Sequence, residues 1–278
     1  MGVKLYFRKR KEFANVVSEI KKIKIQGARD IAYAALYAYS LFPDERHKKI
    51  LVHSRPTEPM LHKVLDEVKK KSYEEIFIHF DLAQDKINSL VLKLIKKKEI
   101  IFTHCHSTNV VKALIYSRKK GKKFEVYNTE TRPLFQGRKT ALELSDAGIP
   151  VTTFIDSALG LALSKKSEKN KNKVTKIFLG ADAILENGII NKIGSGLIAE
   201  VASMSNIPVY IVADSWKFSK NKIPIEQRNL NEVWDKAPKH IKIKNPAFEF
   251  VPKKYIKGIV SELGVMKYEE FLKKINGK

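Results

Sequence analysis

The pattern of apolar and polar positions changes character near residue 98. Before that point its period is helical: Phe13, Val16, Val17 and Ile20 share one helix face, and residues 31–42 are rich in Ala, Tyr and Leu. The stretch Ile25-Gln26-Gly27-Ala28 interrupts this pattern with a glycine that allows close backbone approach. Pro56 and Pro59 bracket a second break, which leads into a helix around residues 61–71. Beyond residue 98, short β-branched runs at 100–103, 124–128, 151–155, 176–179 and 208–213 alternate with helical segments at 108–118, 136–147, 157–164 and 194–204. That alternation predicts an α/β fold, with an N-terminal helical domain over 1–98 and a Rossmann-like parallel-sheet domain over 99–278. Glu186-Asn187-Gly188 predicts a small hairpin, and residues 164–173 read as an exposed, Lys-rich insertion. The apolar run 255–265 fits either an interface element or a buried final strand.

Composition narrows the class. There are 53 Lys and Arg against 30 Asp and Glu, a net charge of +23. Only nine of the 53 are arginine, whereas a phosphate-reading surface tends to use the bidentate guanidinium. No aromatic signature interleaves with the lysines, which argues against nucleic acid as a partner. The single cysteine, Cys105, excludes an intramolecular disulfide. The first eleven residues are too polar for a signal peptide, and no stretch approaches the roughly 18 apolar residues of a membrane span. A cytoplasmic, globular protein with no membrane partner is expected.

In an open parallel sheet, ligands bind beyond the carboxyl ends of the strands. The residues at those ends are Thr103-His104-Cys105-His106-Ser107, then Thr129-Glu130-Thr131-Arg132-Pro133 followed by Gln136-Gly137, then Asp156-Ser157, Gly180-Ala181-Asp182 and Ala213-Asp214-Ser215. Most of the unusual polar residues therefore share one rim. A lone cysteine is most often a buried core thiol. Between two histidines and ahead of a helix whose amides and dipole lower a thiol pKa, Cys105 reads instead as a reactive group. A zinc site built from three consecutive strand residues is disfavoured, because neighbours point to opposite faces. Asp182 precedes no immediate helix and reads as a functional carboxylate, whereas Asp156 reads as a helix N-cap. The turn Asn191-Lys192-Ile193-Gly194-Ser195-Gly196 suits a phosphate, with backbone amides and a lysine converging. No dinucleotide fingerprint follows the first strand, so no cofactor is called for, and no metal.

Taken in order, these motifs resemble a known superfamily. It comprises the alpha, beta and delta regulatory subunits of translation initiation factor 2B, methylthioribose-1-phosphate isomerase and archaeal ribose-1,5-bisphosphate isomerase. The carriers are Gln26-Gly27-Ala28, Arg55-Pro56-Thr57, the Thr103–Ser107 string, Glu130-Thr131-Arg132-Pro133 with Gln136-Gly137, Gly180-Ala181-Asp182, Asn191-Lys192-Ile193-Gly194, and Asn245-Pro246-Ala247-Phe248-Glu249. The Thr103–Ser107 string and residues 245–248 look most like ribose-1,5-bisphosphate isomerase. The family usually has Arg where Gln26 stands. The segment between Arg55 and Thr103 is shorter here, and the residues before Thr103 lack the family's usual Gly and Asp.

The resemblance implies an aldose–ketose isomerase for a phosphorylated pentose, converting ribose 1,5-bisphosphate to ribulose 1,5-bisphosphate in archaeal AMP salvage. It implies catalysis by Cys105 as base and Asp182 as acid. Substrate contacts fall to Gly27, Ala28, Arg55, Arg132, Gln136, Asn191 and Lys192. Nearby cations would lower the Cys105 pKa, and an apolar strand end would raise that of Asp182. A homo-oligomer, dimer or hexamer, is expected, assembled through the α/β domain. The competing reading is a non-catalytic regulatory subunit, like the initiation factor 2B alpha subunit, that binds initiation factor 2 and a nucleotide or sugar phosphate. Methylthioribose-1-phosphate isomerase is the alternative within the enzyme class.

Overall fold

A computed structural model describes residues 3–163 and 173–277. The expected insertion lies outside the described residues, apart from exposed Lys173. The chain forms two compact units, Met1–Asp81 and Leu82–Lys278.

The first unit is helical: α1 (Val3–Lys21), α2 (Ala28–Leu41), α3 (Glu45–Ser54), α4 (Pro59–Glu67) and the first half of α5 (Tyr73–Leu94). Ala32, Ala35 and Ala38 make the inner face of α2 thin, so it packs closely against α1 and α4, with Ile20, Leu36, Leu61 and Leu65 filling the core. Asp44 caps α3 by accepting the His47 N–H at 2.9 Å. Pro59 opens α4, where its missing N–H costs nothing.

The second unit begins inside α5 because the far half of that helix belongs to a different core. Ile87 and Val91, with Ile95 just past the helix end, pack with sheet residues. The sheet contains β1 (Glu99–Thr103), β2 (Phe124–Thr129), β3 (Val151–Phe154), β4 (Val174–Leu179), β7 (Val209–Val212), β9 (Gly258–Ser261) and β10 (Gly264–Met266). Their spatial order is β10-β9-β7-β4-β1-β2-β3, and every pairing is parallel except β10 with β9. The run 255–265 is thus mostly a buried strand, β9, followed by a short edge strand. Alternation along the strands feeds two cores. Ile100, Phe102, Ile177, Leu179 and Ile211 pack against α8 (Leu159–Leu163), α9 (Ser195–Met204) and α10 (Tyr268–Ile275). Ile101, Val126, Phe178 and Val260 pack against α5, α6 (Thr108–Lys119) and α7 (Gln136–Asp146).

A smaller antiparallel sheet joins β5 (Ala183–Ile184), β6 (Gly188–Lys192) and β8 (Phe248–Pro252) in the order β5-β6-β8. The expected hairpin is its first turn, and the strand that completes it comes from the Asn245–Glu249 motif. In the large sheet the chain leaves β1 for β2 on one side and later returns to place β4 on the other. That reversal opens a crevice beyond the carboxyl ends of β1 and β4.

Candidate active site at the carboxyl ends of β1 and β4

Cys105 lies two residues past β1 and Asp182 three residues past β4, on paired parallel strands. Cys105 adopts a left-handed backbone, φ 63°, unusual for a residue with a Cβ. Two hydrogen bonds hold it there: its N–H donates to Thr131 Oγ1 at 3.0 Å, and its carbonyl accepts from the Thr140 hydroxyl at 2.8 Å. Thr131 is itself left-handed, φ 62°. The Asp156 carboxylate holds that turn by accepting the N–H groups of Thr131 (3.0 Å) and Arg132 (2.7 Å). Asp156 is therefore no N-cap. It begins a short 3-10 turn whose N-cap position is Ile155, and its side chain stabilises the neighbouring loop instead.

The neighbours of Cys105 are more ordered than the sequence implied. His104 is buried. Its Nε2 donates to the Ile193 carbonyl at 2.8 Å, which leaves Nδ1 to accept from the Thr129 hydroxyl at 2.5 Å. Burial pushes its pKa down, so the ring is the neutral Nε2–H tautomer. His106 turns the other way, to Glu143 at 3.1 Å. Gly180 brings β4 against the start of α6, where a Cβ would lie 2.6 Å from Ser107 Oγ.

Charges and burial compete at Cys105. Lys192 and the His106 backbone N–H favour the thiolate, while Asp182 and Asp156 disfavour it. Burial is the largest effect, and the thiol is pushed up to about 11. The expected lowering by nearby cations is thus overturned. Lys192 acts in that direction, but desolvation outweighs it, and the resting group is a thiol. Asp182 sits at the entry to the β5–β6 hairpin, where its N–H donates to the Ile190 carbonyl at 2.9 Å.

The loop expected to cradle phosphate is already filled by the protein. Glu249 Oε1 accepts the N–H groups of Gly194 (2.6 Å) and Gly196 (2.8 Å) at the start of α9. Asn191 is buried, with its amide donating to Ser195 Oγ at 2.8 Å. Lys192 keeps its ammonium 4.9 Å from the centre of the Phe248 ring.

Arg132, next to the Thr131 that holds the Cys105 N–H, is exposed, its guanidinium donating to the Val233 carbonyl at 3.3 Å and lying 5.1 Å from the Phe135 ring centre. Gln136 opens α7, and its Oε1 is buried without a hydrogen-bond partner among the described residues. Gly27, Ala28 and Arg55 belong to the helical unit. Gly27 (φ 90°) precedes α2, Ala28 begins it, and Arg55 is a buried residue closing α3. Sequence reasoning missed Lys217, a buried lysine whose ammonium donates to the Ala181 carbonyl at 2.6 Å, beside Asp182. Reading two residues further past the fifth strand end would have reached it. Among the described residues no helix is long and apolar enough to cross a membrane.

The chain and its fold are similar to those of known proteins. The chain matches the Initiation factor 2 subunit family over residues 24–268. It is 34% identical to a ribose 1,5-bisphosphate isomerase of Methanocaldococcus jannaschii, covering 89% of each chain. It is 32% identical to a methylthioribose-1-phosphate isomerase of Carboxydothermus hydrogenoformans, covering all of this chain and 94% of the other. Among solved structures, 5-methylthioribose 1-phosphate isomerase from Pyrococcus horikoshii superposes with a TM-score of 0.76 at 25% identity, covering 95% of this chain and 87% of that one. The translation initiation factor eIF-2B from the same organism shares the fold, with a TM-score of 0.78 at 24% identity, covering 96% and 98%.

Proposed function

Since the chain belongs to the Initiation factor 2 subunit family, we propose that it is an aldose–ketose isomerase converting ribose 1,5-bisphosphate to ribulose 1,5-bisphosphate. One observation carries the reading. Cys105 and Asp182 end paired strands beside the sheet's crevice, near enough that the Asp182 charge is felt at the thiol.

The isomerisation needs one base and one acid, and the pair supplies both after a single internal transfer. The Cys105 thiol passes its proton to the Asp182 carboxylate, giving a thiolate and a carboxylic acid. The thiolate takes the proton from carbon 2. Asp182 protonates the ring oxygen as its bond to carbon 1 breaks, leaving an enol phosphate. Cys105 then returns its proton to carbon 1, and the carbon 2 hydroxyl proton goes to Asp182. The ketone forms with both phosphates retained and both groups reset. Each role is worth about 10²–10⁴ in rate.

Each substrate phosphate brings about 1.5–2 negative charges, which Arg132 and Lys192 would neutralise in this reading. Gln136 Oε1, a buried acceptor without a partner among the described residues, suits a sugar hydroxyl donor. Asn191 shapes the Lys192 turn. Gly27, Ala28 and Arg55 enter as substrate contacts on the family motifs alone. A homo-oligomer, formed through the α/β unit, is part of the same reading.

A substrate panel tests the assignment: ribose 1,5-bisphosphate, methylthioribose 1-phosphate and 5-deoxyribose 1-phosphate, followed by phosphorus NMR. The bisphosphate is expected to have the highest kcat/KM; a higher value for either monophosphate transfers the assignment to it. One observation favours the binding-only alternative. Gln26, where relatives usually carry Arg, turns its amide back to the Ile23 carbonyl at 3.2 Å and brings no charge. Specific capture of initiation factor 2 alpha, together with no turnover of any of the three sugars, would establish that alternative.

A further inference from the structure

Glu249 looks at first like a structural carboxylate, but the loop it holds is the one that His104, next to Cys105, grips through the Ile193 carbonyl, and that loop carries Lys192. It lies on β8, opposite Asn191 of β6, and its neighbour Phe248 lies opposite Lys192. The pairing continues into the loop, where the Ile193 N–H donates to the Ala247 carbonyl at 3.1 Å. From this strand two side chains reach toward the Lys192 turn. The Phe248 ring faces the Lys192 ammonium, a favourable cation–π contact. The Glu249 carboxylate clamps the Gly194 and Gly196 N–H groups.

The two glycines fit that carboxylate. Gly194 is left-handed, φ 102°, and a Cβ on Gly196 would lie 2.9 Å from Glu249 Oε2. An anion here also complements the positive end of the α9 dipole. A side chain thus occupies the N-terminus that a substrate phosphate could otherwise take.

We propose that Glu249 is a positioning residue for the isomerisation, acting through the Gly194 and Gly196 amides and the shared β6–β8 pairing to hold the Lys192 ammonium beside Cys105. It touches neither the sulfur nor the substrate; Lys192 transmits its effect. The inference deepens the proposed function and rests on it for the effect on turnover, but the position of Lys192 can be read without any substrate.

The test measures the rate of Cys105 alkylation by iodoacetamide at pH 8 in the intact protein. Lys192 favours the thiolate, and far below the thiol pKa the rate follows the thiolate fraction. Half a unit of pKa is then about a threefold change in rate. Glu249→Ala is expected to slow alkylation about threefold, to the rate of Lys192→Met, and the double variant is expected to be no slower than either. Glu249→Gln, which keeps an acceptor for both amides, should stay within about twofold of the parent. Gly196→Ala retains Glu249 but displaces its carboxylate, and should slow alkylation in the same direction even if Glu249→Ala fails to fold.

An unchanged or faster rate in a folded Glu249→Ala or Gly196→Ala protein overturns the proposal. So does a double variant whose effects add, because Glu249 would then act independently of Lys192. With the proposed bisphosphate, Glu249→Ala should raise KM more than it lowers kcat, and Glu249→Gln should restore most of both. If no sugar phosphate turns over while the alkylation pattern holds, the substrate assignment fails and the positioning role stands.

Discussion

His104 Nε2 donates to the Ile193 carbonyl at 2.8 Å, tying the strand end that carries Cys105 to the loop that carries Lys192. Both ring nitrogens of this histidine are engaged by the protein, Nε2 by the Ile193 carbonyl and Nδ1 by the Thr129 hydroxyl. The ring is a neutral bridge between two segments that are distant in sequence.

Replacing His104 by Ala leaves the Ile193 carbonyl and the Thr129 hydroxyl without this partner. A loss of about 1–3 kcal/mol in unfolding free energy is expected, measured by urea titration. The wild-type protein should also lose stability on acidification. Burial lowers the folded-state pKa of His104 below its unfolded value, so the unfolded chain binds more protons between the two. That contribution is present above about 6.5, the unfolded value, and declines as pH falls toward the lowered folded value. A His104→Gln protein should lack that part of the slope.

Gly137 is irreplaceable for a reason visible only in three dimensions. A Cβ there would sit 1.8 Å from the Thr129 carbonyl oxygen and 2.9 Å from backbone carbons of residues 129 and 130. No rotamer relieves a clash with backbone. Gly137→Ala should cost about 1–3 kcal/mol or more, seen as a lowered Tm, and should displace the start of α7 together with Gln136.

The thiol titration has a definite sign. Cys105 should alkylate slowly at neutral pH, its rate climbing tenfold per pH unit and levelling near 11. Asp156 disfavours the thiolate, so Asp156→Asn should shift the profile to lower pH, while Lys192→Met shifts it higher. The same Asp156 substitution weakens the cap on the Thr131 and Arg132 amides, so a reduced Tm should accompany the faster alkylation.

The strand–helix alternation was legible because the parallel sheet buries both faces, leaving short β-branched runs between helices. The strand-end rule then found Cys105, Arg132, Asp156 and Asp182 from one-dimensional order alone. What it could not give was the direction of competing effects. Lys192 and the His106 backbone N–H favour the thiolate at Cys105, yet desolvation outweighs them. Likewise the glycines of 194–196 predict an anion at α9, and the anion is Glu249, more than fifty residues away in sequence. Asp156 was misread because its carboxylate crosses to the turn at Thr131 instead of capping its own. The β5–β6 hairpin was legible at Glu186-Asn187-Gly188, but its third strand, β8, stayed hidden because it follows a long irregular stretch with no periodicity to announce it.

The proposed interconversion of a phosphorylated pentose requires both Cys105 and Asp182. Its most direct test is the initial rate of ribulose 1,5-bisphosphate formation from ribose 1,5-bisphosphate by the wild-type protein, Cys105→Ser and Asp182→Asn. Turnover by wild type that falls about 10²–10⁴-fold in each variant, with folding intact, is the predicted result. Equal rates in all three proteins, or none in wild type, would contradict the account.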